Sequence, residues 1–192
     1  MTVLIIGLIL FLGIHSVRVF AEDWRSSRLQ AMGEGAWKGL YSVVSIVGFG
    51  LVVWGYGLAR QAPVVIWSPP VFTRHLASLL TLVSFVLLAA AYVPRNRIKT
   101  ALRHPMTLGV KVWALAHLLA NGTLADVLLF GGFLVWAVLV FRAARKRDRA
   151  AAPMVLPSSG AATIATVFIG LGAWAAFAFW AHAWLIGVRP FG

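Results

Sequence analysis

An all-α, polytopic transmembrane helical bundle of six helices, the fourth short and both termini outside, is predicted from three observations. The first is composition: 61% of the 192 residues are hydrophobic and 11% charged, against roughly 25% charged in soluble domains. The second is length, because the apolar runs are continuous and the mean hydropathy is +0.89. Runs of roughly 17–25 residues cross the hydrocarbon as helices, whereas barrel strands would alternate. The third is charge placement. Twelve basic residues fall in alternate loops and only three on the opposite side, which by the positive-inside rule makes the basic loops cytoplasmic.

The spans follow in order. Residues 2–21 form the first. Val19-Phe20-Ala21 resembles a signal-peptidase site, but no basic segment precedes the run and Arg18 lies within it, so a retained helix is expected. Residues 39–59 and 72–93 form the second and third, with Pro63, Pro69 and Pro70 marking the loop between them and Pro94 ending the third. Residues 106–120 make the short fourth helix, whose Lys111 can snorkel toward headgroups. After a tight turn at Asn121-Gly122 come residues 124–141, and finally 162–188. Between these last two lie a juxtamembrane basic segment, Arg142 to Arg149, and a linker-like stretch with Pro153, Pro157 and Ser158-Ser159-Gly160. One membrane domain occupies residues 1–192, with no room for a soluble one.

The net charge of +12 is accounted for by topology and by anionic lipids at the basic loops, without nucleic acid. The absence of cysteine excludes disulfides, thiolate metal sites and thiolate haem ligation. With Glu22, Asp23, Glu34, Asp126 and Asp148 as the whole acidic complement, carboxylate chemistry has little to work with. No phosphate-binding loop, dinucleotide fingerprint or nucleophile elbow is present. Gly48, Gly50, Gly55 and Gly57 suit close helix contact. On the last helix Trp174, Phe177, Trp180 and Trp184 form an aromatic ridge, and Trp37, Tyr41 and Trp67 fall near the interfaces.

Histidine is the main chemical inventory, because an ionisable residue within a span is costly without a partner. His15, His75, His104, His117 and His182 can ligate metal or haem iron, move protons, or hydrogen-bond a neighbouring helix. His104 and His117 point roughly 140° apart on one helix, so they do not grip one ligand together. Lys111 shares the face of His104. Trp113, Ala114 and Asn121 share that of His117 and could wall a pocket beside it. Arg103-His104-Pro105 reads as a helix entry, since proline is tolerated at a first helical position.

These stretches carry a resemblance to known proteins. Gly13-Ile14-His15-Ser16, Trp37-Lys38-Gly39-Leu40-Tyr41-Ser42, the run from Trp54 to Arg60, Arg103-His104-Pro105 through Asn121-Gly122, and the run from His182 to Val188 resemble the NnrU family of bacterial membrane proteins. That family is associated with nitrite and nitric oxide reduction in denitrifiers, which implies a bacterial inner membrane with periplasmic termini. It is similar in turn to zeta-carotene isomerase, a haem b protein. This second resemblance implies haem b with His15 and His117 as iron ligands; Trp113, Ala114, Asn121, Arg103 and His104 are the further candidate cofactor-binding residues. The isomerase's cysteine three residues before the second histidine is matched here by Ala114. Arg103-His104-Pro105-Met106 also resembles membrane methyltransferases that bind S-adenosylmethionine, although the usual following aromatic and acidic pair are missing. A small hydrophobic substrate or a redox partner would go with these readings. A structural or accessory role, with histidines bonding between helices, is the alternative outside enzymology.

Overall fold

The computed structural model describes residues 1–151 and 157–191. Pro153 of the linker-like stretch lies outside the described residues. Among the described residues the chain is all-helical, with two isolated bridges and no strand. Five helices are long and apolar enough to cross a membrane, and the sixteen-residue Pro105–Ala120 is the shorter apolar helix that the sequence leads one to expect.

Two compact units are formed, Met1–Ser68 with Asn121–Val140, and Pro69–Ala120 with Phe141–Gly192. In the first, α1 (Thr2–Phe20) and α2 (Glu22–Gln61) run antiparallel, because Gly7 meets Val52, Gly48 meets Phe11 and Gly55 meets Leu4. At each of these glycines a Cβ would strike the neighbouring backbone. Gly50 and Gly57 face open space, so of the four expected contact glycines only Gly48 and Gly55 serve. In bilayers such small residues let helix backbones approach closely.

The first loop expected from the sequence is largely helix. Residues 22–32 are rich in Glu, Arg, Leu, Gln and Ala, which favour helix, and Glu22 and Asp23 in the first turn suit its dipole. This polar arm ends at Gly33, where φ 80° and ψ 161° break α2. Its Trp24 packs edge-on against Trp37 with centroids 5.9 Å apart. The Gly33 conformation is accessible almost only to glycine. Gly33→Ala is therefore expected to cost about 1–3 kcal/mol, read from detergent-resolved thermal unfolding; an unchanged midpoint would contradict the break. Nearby, Gly35→Ala adds a Cβ into open space and serves as control.

The first part of α6 (Leu124–Ala150) completes this unit. Its entry is tied to the 64–67 segment: Ile66 and Trp67 donate to the Gly122 carbonyl at 2.8 and 3.1 Å, and Leu124 donates to Val64 at 2.8 Å. Gly122 leaves no room for a Cβ against the Trp67 carbonyl, which explains glycine at that turn.

In the second unit, α3 (Val71–Tyr92) packs on α5 (Pro105–Ala120) and α7 (Gly160–Ala176). Ser84 Oγ donates to the Gly109 carbonyl at 2.8 Å, and Gly170 lies against the Val86 backbone. Fully buried Asn96 organises the corner that follows α3. Its Nδ2 donates to Ala90 and Val93, while its Oδ1 caps α4 (Arg97–Leu102) through Lys99 N. The basic run 142–149 continues α6 as helix rather than loop, since Ala, Arg and Lys are strong helix formers. The last span is not one regular helix: a π turn, Phe177–Ala181, separates α7 from α8 (His182–Ile186), which ends at left-handed Gly187. The extra residue of the turn breaks the expected aromatic ridge. Trp174 bonds Thr81 and Phe177 packs on Phe85, whereas Trp180 and Trp184 are 70% and 84% exposed.

Candidate functional site

His15 stands half-buried on α1 in the first unit. Its Nδ1–H donates to the Phe11 carbonyl one turn earlier at 2.6 Å. Three rings surround it, Phe11 at 4.3 Å, Tyr41 at 5.2 Å and Trp136 at 6.2 Å between centroids. With the proton held on Nδ1, the neutral ring keeps a lone pair on Nε2. That nitrogen makes no hydrogen bond among the described residues. A cleft of about 430 Å³ opens beside it, lined in part by Arg18, Arg25, Trp37, Lys38 and Tyr41. At the rim Lys38 binds Glu34 at 2.6 Å, and that ammonium holds the Glu34 carboxyl below its usual range.

His117 belongs to α5 in the second unit and repeats this local geometry. Its Nδ1–H donates to the Trp113 carbonyl at 2.9 Å, and the Trp113 ring lies 5.1 Å away. Trp113 does wall His117 on one side, as its spacing suggests. Ala114 is fully buried, and Asn121 is half-buried beyond the end of α5. Both histidines thus follow an aromatic residue by four positions and bond its carbonyl. A carbonyl acceptor on Nδ1 is the arrangement that fixes tautomer and raises basicity in metal-bound imidazoles.

The other three histidines are engaged differently. His104 Nε2 meets Asp148 Oδ2 at 2.9 Å, and Arg103 and Arg145 approach the same oxygen at 4.0 Å. Arg103, at the end of α4, adopts a left-handed φ of 62°, which turns the chain into α5. His104 and Lys111 do share one surrounding: Phe141 receives the His104 ring edge-on at 6.2 Å and the Lys111 ammonium over its face at 3.7 Å. His75 is exposed just after the first turn of α3. His182 Nδ1–H donates to the Val188 carbonyl at 2.7 Å and ties down the turn after α8.

Two carboxylates escaped the sequence reading. Asp148 is the acceptor for His104. Its signal was its isolation, one acid among the cations of 142–149. Asp126 is buried at the start of α6 and accepts from Tyr56 Oη at 2.6 Å, Thr123 N at 2.9 Å and Thr123 Oγ1 at 2.6 Å. Thr123 three residues ahead of it was a capping signal. No cluster of three or more His, Asp or Glu residues suited to a metal ion occurs among the described residues.

No curated protein and no solved structure matches this chain. The NnrU protein family model matches residues 3–190, and the chain belongs to the NnrU family.

Proposed function

We propose that this NnrU protein binds haem b in the bacterial inner membrane through His15 and His117, and serves redox physiology linked to nitrite and nitric oxide reduction. The observation that carries this reading is His15. An imidazole serving as an interhelical hydrogen bond would direct a nitrogen to another helix, whereas His15 bonds within α1 and keeps its Nε2 lone pair. A porphyrin brings four nitrogen donors of its own. Two imidazoles therefore suffice, and a larger cluster of side-chain ligands is not required.

The donor set fits the group. His15 and His117 each have Nδ1 bound to a carbonyl, and each has an aromatic ring alongside. Bound haem supplies one-electron chemistry at iron. The protein's part is to hold two neutral imidazoles in fixed orientation and to keep the surroundings apolar. With apolar Ala114 in place of a thiol, nothing at that position offers a sulfur to exchange for His117, which favours redox or sensing over isomerisation. The twelve-to-three bias of basic residues supports cytoplasmic basic loops, periplasmic termini and contact with anionic lipids.

Haem content and spectrum after haem-replete expression test the assignment. Wild type is expected to carry low-spin haem, and His15→Ala and His117→Ala each to lose low-spin ligation. If both variants keep the wild-type spectrum, the ligands lie elsewhere, with His75 and His182 next to be replaced.

A further inference from the structure

The cleft beside His15 has a chemical polarity that imidazole ligation alone does not require. Three of its lining residues are cations drawn from different segments. Arg18 comes from α1, one turn beyond His15; Arg25 comes from the arm 22–32; Lys38 follows the Gly33 break. The deeper walls are apolar or aromatic, including Trp37 and Tyr41. At about 430 Å³ the space is of small-molecule size. A cleft so lined matches a ligand with an apolar body that ends in anionic groups.

The carboxylates already present must be weighed. Glu22 lies 3.7 Å from Arg18 and 3.2 Å from Arg25, and Glu34 lies 2.6 Å from Lys38. These are three- and four-residue pairs, the first across the Ala21 junction of α1 and α2 and the others within α2, with both partners at least partly open to solvent. Solvent-exposed pairs of this kind are weak and water-screened, so they do not withhold the cations from a ligand. Three cations against two carboxylates leave an excess of positive charge at the mouth. An arginine that reaches a ligand carboxylate can also bind it in two-point fashion.

We infer that Arg18, Arg25 and Lys38 receive the propionate carboxylates of haem, so that the cofactor enters the His15 cleft with its acidic edge toward the arm 22–32. This rests on the haem reading above and adds the orientation of the group and the residues that select it. The arm then has a purpose beyond joining two spans. The break at Gly33 allows Arg25 on the arm and Lys38 beyond it to line one cleft.

The test uses full-length apoprotein in detergent, titrated with hemin or with hemin dimethyl ester, in which both acids are masked. Wild type is expected to bind the diacid at least about tenfold more tightly than the diester. The double variant Arg18→Gln/Arg25→Gln, with Lys38→Gln as a separate arm, is expected to lose about tenfold in hemin affinity. Diester affinity and the low-spin spectrum should stay as in wild type, which also shows that the variants fold. Equal affinity for diacid and diester, or unaltered hemin binding in the variants, overturns this inference and leaves the haem reading standing. Absence of a shift of the Soret band to the protein-bound, low-spin form with either compound overturns both. An anionic lipid headgroup offers the same charge, so binding to phosphatidylglycerol vesicles is measured in parallel. Loss of vesicle binding with hemin affinity intact would assign the cations to lipid and refute the inference.

Discussion

Gly55→Val is expected to strip the protein of most of its stable folded population, whereas Gly57→Val, two residues on, should be nearly silent. A Cβ at Gly55 meets Leu4 N, with Leu4 Cα at 2.6 Å and the Val3 carbonyl carbon at 2.7 Å. All are backbone atoms, so no side-chain rotation relieves the clash and α1 must move away from α2. Overpacking of this kind costs about 1–3 kcal/mol, and more where backbone must shift. Gly57 has nothing within 4 Å. Thermal or SDS-titrated unfolding of the two variants compares them directly; similar midpoints would mean that the α1–α2 contact is not where stability resides.

Asp126→Ala is the second large effect. Its carboxylate accepts from the Tyr56 hydroxyl, Thr123 N and Thr123 Oγ1, joining α2 to the entry of α6 within the first unit. Alanine leaves these half-buried donors without their carboxylate acceptor. Hydrogen bonds to a charged group contribute about 1.5–3 kcal/mol, and stranded donors add their own desolvation cost. A loss of about 3 kcal/mol or more is expected, with Tyr56→Phe costing about 1.5 kcal/mol because only one bond disappears. If Asp126→Ala were no more harmful than Tyr56→Phe, the Thr123 contacts would contribute nothing.

Hydropathy made the spans legible because it accumulates along the chain and needs no partner. The short α5 emerged from the same counting. The arm 22–32 did not, since its polarity reads as loop although Glu, Arg, Leu and Ala favour helix. Gly33 and Gly35 flank Glu34, but only the backbone shows that the helix breaks at Gly33 and resumes after it. The π turn at 177–181 left no trace in a segment apolar on every side. Choosing Gly48 and Gly55 over Gly50 and Gly57 required knowing which face of α2 meets α1. The partnerships Tyr56 with Asp126 and His104 with Asp148 join residues far apart in sequence, beyond any local spacing rule. At the candidate site the sequence singled out His15 and His117 through resemblance. The structure adds a shared local geometry, each imidazole bonded to the carbonyl of an aromatic residue four positions earlier. The cationic side of the His15 cleft was hidden, because Arg25 and Lys38 read as ordinary loop charges and Arg18 as a lone cation within the first span.

The absorption spectrum of reduced wild-type protein, purified in detergent after haem-replete expression, bears on the haem assignment without intermediaries. Ligation by two imidazoles predicts a low-spin Soret band with sharp, resolved α and β bands. A protein that is folded and helical yet shows no Soret band would contradict it.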